Sequence, residues 1–139
     1  MTTENFRQLA LGIPNAVESS HMDHPDFRIG GKIFASLGYP DDEHGMVKLT
    51  PRQQRTFLKE APTVFAPCAG VWGKRGATSV YLALAELDAL RAALLAASKN
   101  VIATSHEVEA LRKRKDRKKA DRRDASNAGS ADPQPASLA

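Results

Sequence analysis

Apolar positions along the chain change period several times, and each change marks an element. Phe6, Leu9 and Ala10 recur at helical spacing, which predicts a helix over 3–11 that Ile13-Pro14-Asn15 ends. Residues 16–22 can extend as a short strand, and 21–26, with two histidines and a proline, reads as a turn. Phe27-Arg28-Ile29 and Lys32-Ile33-Phe34-Ala35-Ser36-Leu37 flank Gly30-Gly31. Two glycines between alternating apolar residues supply the positive φ values of a tight hairpin turn, so two antiparallel strands are expected there. After a turn cluster at 38–42, residues 45–49 make a third strand.

The period then becomes helical. Thr50 offers an N-cap hydroxyl, Pro51 suits the first helical position, and Gln53 completes a capping box, which starts a second helix reaching about residue 60. Ala61-Pro62 stops it, 64–66 can extend, and 70–76 is a glycine-bounded loop carrying Trp72, Lys74 and Arg75. A strand over 78–82 precedes a helix over 84–98, where Leu87, Leu90, Leu94 and Ala97 share a face. Hairpins with short connections, interrupted by one helix, predict an α/β fold of the α+β type: a mainly antiparallel sheet backed by three helices. Beyond 104, EVEALRKRKDRKKADRR is made of helix formers but lacks an apolar stripe to dock anywhere, so it reads as a fraying, solvated helix, and DASNAGSADPQPASLA cannot bury enough surface to order itself. The expected organisation is a domain over 1–104 and a basic, low-complexity, disordered tail over 105–139.

Composition adds little to this, but the placement of charge adds more. The chain carries a formal +4, with 42% hydrophobic residues and only 6% aromatic ones. Its excess charge is uneven, since residues 1–104 hold eleven bases against ten acids and the remainder nine against six. The one cysteine, Cys68, cannot close an internal disulfide, and the opening residues do not form a charged-then-apolar leader. A reducing cytoplasm is therefore expected. Glu86, Asp88 and Arg91 interrupt the richest apolar stretch, so no membrane span is expected.

FRIGGKIFASLGYP, then MVKLTPRQQ, APTVFAP and GVWGKRGATSVYLA before a Leu/Ala helix, resemble the MmcQ/YjbR family over about residues 4–104. The resemblance implies a frataxin-like sheet with a double-wing arrangement and a DNA-binding role. It implies no catalytic set and no cofactor.

Four loop cations make the candidate surface. Lys74 and Arg75 beside Trp72 suit a wing that sets charge on phosphates and an indole near a base, although Trp72 packed at a sheet edge with solvated cations fits equally. Arg28 and Lys32 flank the Gly-Gly turn as a second wing, or are ordinary solvent-face residues. Lys48 and Arg52 are possible additions. In the tail, Arg112, Lys113, Arg114, Lys115, Arg117, Lys118 and Lys119 would add salt-sensitive attraction to any polyanion, or merely solubilise the chain. His21-x-x-His24, with Asp23 and Asp26, is the place to look for a metal, but two histidines fall short of the three or four ligands a site needs, and a polar turn is the better reading. His44 and His106 read as isolated and exposed, and Cys68 as a buried inert thiol. With no GxxxxGK[ST], GxSxG or CxxC, enzymatic chemistry is not expected. The expectation is a non-catalytic nucleic-acid binder, with DNA as partner. A protein-interaction adaptor is the alternative, and small-molecule sensing or catalysis a third reading that requires a concave apolar pocket with convergent polar groups.

Overall fold

Two capping boxes set the helix starts that frame the sheet. In α1 (Thr3–Leu11), Thr2 Oγ1 accepts from the Asn5 amide at 3.1 Å while Asn5 Oδ1 accepts from the Thr2 amide at 3.0 Å. In α2 (Pro51–Glu60), Thr50 and Gln53 exchange the same pair of bonds at 3.2 and 2.9 Å, as the local sequence predicts. These elements come from a computed structural model that describes residues 1–128, and at 105–110 and 114–128 it describes the backbone alone.

Among the described residues, six strands form a single sheet: β1 (Val17–His21), β2 (His24–Ile29), β3 (Lys32–Leu37), β4 (His44–Lys48), β5 (Phe65–Pro67) and β6 (Ala77–Tyr81). Their order is β1-β2-β3-β4-β6-β5, and every neighbouring pair is antiparallel. The expected mainly antiparallel α/β architecture is what the chain adopts. Gly30 and Gly31 turn β2 into β3 with φ of 58° and 80°. A second tight hairpin lies where the sequence reads as a turn over 21–26. There the strands meet at His21↔His24, and only Met22 and Asp23 turn, with φ of 51° and 65°. Asp tolerates this conformation and Met does not favour it, so local propensity hides the hairpin.

The register sorts the strand residues onto two faces. Phe27↔Ala35, Ala35↔Val47, Val47↔Thr78 and Phe65↔Val80 build one face, which α1 and the first turns of α4 (Leu87–Ala128) cover with Phe6, Ala10, Leu90, Leu94 and Ala97. Gly45 allows the Phe6 ring to lie directly on β4, since a Cβ there would stand 2.6 Å from Phe6 Cε2. Pairing then jumps from Phe27↔Ala35 to Arg28↔Ile33 and leaves Phe34 as the extra residue of a β-bulge, so Phe34 and Ala35 are both fully buried.

Three boundaries differ from expectation. The three expected helices are present and a fourth, short one is added, because the expected loop 70–76 contains the one-turn helix α3 (Gly70–Lys74). Its glycines argue locally against a helix, and tertiary contacts described below override them. The final helix starts at Leu87, after a 3₁₀ turn over Leu82–Leu84, rather than at 84. Helical backbone then continues over the basic run that reads as a solvated helix and through Ala128, past the Asp124 where the low-complexity stretch begins. The described residues divide into two units, the first Met1–Ala103 and the second beginning at Thr104. The part of the expected tail at 129–139 lies outside the described residues. No helix of the described residues is long and apolar enough to cross a membrane.

Gly76 has φ 111°, and a Cβ there would stand 2.0 Å from the Leu49 carbonyl oxygen, whereas Gly31, with φ 80°, has open space around it. Gly76→Ala is expected to lose about 3 kcal/mol or more of folding stability, and Gly31→Ala about 1 kcal/mol. Urea denaturation of the two variants checks this, and equal losses would contradict the packing described.

Candidate functional site

One sheet face is consumed by the core, so chemistry is left to the other. That face carries Ser19, Asp26, Ser36, Met46 and Ser79 in one cross-strand row and Arg28, Ile33, Lys48 and Ala77 along one end. A groove of about 490 Å³ crosses it. Its floor is Ile33, Ser36, Met46 and Ala77, with His21, Met22, His24 and Tyr39 at one end and Lys48, Cys68 and Trp72 at the other. This is within the size range of small-molecule sites, about 300–1,000 Å³, and its walls are mostly apolar with a few polar groups converging.

Trp72 reaches the groove because α3 is clipped in place from below. The buried Gln54 amide of α2 donates to the Gly73 carbonyl at 3.0 Å, the Ala77 carbonyl at 3.1 Å and Thr78 Oγ1 at 3.1 Å. Gly73 sits so close to Cys68 that a Cβ would stand 1.8 Å from its carbonyl oxygen. The clip leaves the indole 62% exposed on the groove rim, with Lys48 Nζ 5.8 Å from its ring centroid. Lys48 is half-buried and, among the described residues, forms no ion pair. Burial first, and then the positive charge of Lys32, hold its ammonium below the usual lysine range. Burial also pushes the Cys68 thiol up to about 11, so it stays protonated and weakly nucleophilic at neutral pH.

The opposite end of the groove is organised by a buried carboxylate. Asp26 is fully buried, accepts from Arg28 Nε at 2.7 Å and Nη2 at 3.0 Å, and lies 3.2 Å from His21 Nδ1. The Arg28 hydrogen bonds, and then that of His21, hold the Asp26 carboxyl below the usual carboxylate range. An ionised carboxylate only accepts, so Nδ1 of His21 carries the hydrogen, and in the neutral ring Nε2 is left as an acceptor. His24 is fixed against Gly38, where a Cβ would meet its Nδ1 at 2.7 Å. Among the described residues no three His, Cys, Asp or Glu side chains converge as metal ligands. His44, expected to be isolated, instead pairs with Asp41 Oδ1 at 2.7 Å and packs on Tyr81 at 5.2 Å between ring centroids, because β4 and β6 place the two rings opposite each other.

The YjbR family model matches residues 11–107. This chain belongs to the YjbR family. The match begins at the end of α1 and stops before the basic run from Arg112, so most of α1 and all of that run lie outside the matched segment. The fold is also similar to the crystal structure of the Deinococcus radiodurans protein DR2400, a DUF419 domain, with a TM-score of 0.56 and 19% identity. The similarity covers 67% of this chain and 72% of that one. No curated protein matches the sequence.

The YjbR domain brings the expected cations to one end of the sheet. Lys48↔Ala77 and Ile29↔Lys32 close the strands at the end where the Gly-Gly turn, the start of α2 and the start of β6 lie. Arg28, Lys32, Lys48, Arg52, Lys74 and Arg75 therefore share that end. They are not equivalent. Arg28 is committed to Asp26, Lys32 and Lys48 repel one another, and Arg52, Lys74 and Arg75 are exposed with no ion pair among the described residues. Lys74 and Arg75 close the α3 helix and its cap rather than standing on a loop wing. Arg112 and Lys113 belong to the second unit and are exposed, and the side chains of Arg114, Lys115, Arg117, Lys118 and Lys119 lie outside the described residues. Sequence reasoning missed the groove itself. Ile33 and Met46 on an otherwise polar strand face were the available signal, but the bulge at Phe34 shifts the alternation that would have revealed it.

Asp26→Asn leaves the Arg28 guanidinium without a carboxylate, and a loss of about 1–3 kcal/mol is expected near neutral pH. Because the folded carboxyl titrates below its ordinary 3.8, its contribution is present above that pH and fades as pH falls through the lower folded value. Denaturation of both proteins across pH checks this: the gap between wild type and Asp26→Asn should narrow below about pH 4.

Proposed function

We propose that this YjbR protein is a non-catalytic, cytoplasmic DNA-binding protein that engages phosphates with the cation-bearing end of its open sheet face. The observation that carries the reading is Lys48: a half-buried ammonium with no counter-ion among the described residues, held beside Lys32 and the exposed Trp72. An anion at that point relieves both the desolvation of Lys48 and its repulsion with Lys32. Arg52, Lys74 and Arg75 extend the same end with exposed charge, and the basic run from Arg112 adds sequence-independent attraction. The body is close to neutral, so affinity rests on this local gathering of cations.

An adaptor role is the second reading, and the apolar rim favours it. Met22 at 84%, Val71 at 60% and Tyr39 at 44% exposure leave hydrophobic surface at the open face and around α3. Salt separates the two readings, since phosphate binding weakens with ionic strength and apolar docking does not.

Titration of the full chain with a DNA duplex and with its separated strand at rising salt tests the proposal. Affinity should fall linearly on a log–log scale, and Lys48→Gln should flatten the slope by about one unit, while Lys59→Gln, at the far end of α2, leaves it unchanged. Absence of binding to either form at low salt would refute the DNA reading.

A further inference from the structure

The groove and the phosphate-binding end are continuous, and their combination is more selective than either alone. From β2 across β3 and β4 to β6 the recess spans three strand spacings, about 14 Å, which is wide for a side chain and ample for a base with its sugar. Its rim carries an indole that is 62% exposed, and Lys48, a cation with no ion pair among the described residues, stands over the ring with Nζ 5.8 Å from the centroid. Its floor is mostly apolar, with Ile33, Met46 and Ala77 around Ser36. A planar, weakly polar group flanked by an anion complements this arrangement. A paired base in a duplex does not, because both of its faces are covered by stacked neighbours and its edges are recessed between the backbones. An apolar peptide would bury Lys48 without a counter-ion, at an electrostatic cost the open groove does not incur.

We propose that the groove seats one unstacked base of single-stranded DNA against Trp72, with the adjoining phosphate at Lys48, so that the protein selects single strands over duplexes. This rests on the DNA-binding reading above and adds a strand preference and a base-stacking residue to it. The chain offers a direct probe, since Trp72 is its single tryptophan.

In the experiment the full-length protein is titrated at low salt with a mixed-sequence single-stranded oligonucleotide, with the same sequence as a duplex, and with polyglutamate, while indole fluorescence and binding anisotropy are read together. The expected result is strong quenching by the single strand, little by the duplex, and an affinity for the strand about tenfold or more above that for the duplex. Trp72→Ala, at an exposed position where folding is not at risk, should lower strand affinity to the duplex level, and Trp72→Phe should restore part of it. Equal binding of strand and duplex without quenching overturns this inference and leaves DNA binding standing. No binding of either DNA refutes the DNA-binding reading and this inference with it. Quenching by polyglutamate alone identifies an acidic protein ligand and also overturns it.

Discussion

Burial of a single sheet face is the constraint on which the rest of the domain depends. Phe27, Ala35, Val47, Val80 and Phe65 need a hydrophobic lid, and α1 and α4 supply it with Phe6, Ala10, Leu90, Ala93 and Leu94. The three longer helices are thereby committed to one side, since Phe57 and Leu58 of α2 also pack on the core. The other side keeps only the one-turn α3 at its margin, and a recess remains where a second helical layer would otherwise lie. The groove is thus a consequence of how the core is closed.

Within that frame the polar groups divide into holders and presenters. Gln54 is a holder: its amide joins three acceptors from α3 and β6 at once, and a buried amide so satisfied fixes α3 with little freedom. Asp26 is another, because Arg28 and His21 both turn toward it and lose freedom to act elsewhere. Lys48 and Trp72 are presenters. Neither is tied to an acidic partner among the described residues, and each faces the same recess. Of two cations on the same sheet end, Arg28 is thus spent internally and Lys48 remains available.

Those roles explain why the candidate surface was only half legible in the sequence. Lys48, Trp72 and the cations near Gly30 and Gly76 stand out as charges and an indole beside turns, and the antiparallel register brings those turns to one end. The pairing of Arg28 with a carboxylate two positions earlier is hidden because 21–26 reads as a turn, whereas on strand β2 residues i and i+2 share a face. His21 and Asp26 drew attention only as metal ligands, whereas the hairpin at Met22-Asp23 makes them a hydrogen-bonded couple.

Local rules acting over a few residues determined the capping boxes at Thr2 and Thr50, the Gly30-Gly31 hairpin and the apolar stripe of α4, because caps, turns and helical faces involve neighbours in the chain. Tertiary structure alone decided that 70–74 coils into α3, that Phe34 bulges into the core, and that Ile33, Met46, Lys48 and Trp72 line one groove. Each depends on groups that meet across the sheet: the Gln54 amide reaches Gly73 from 19 positions away, and the groove is assembled from residues of nonadjacent segments. Periodicity and propensity report only what a residue's chain neighbours allow, so they carry no record of which distant partner completes its hydrogen bonds or covers its surface.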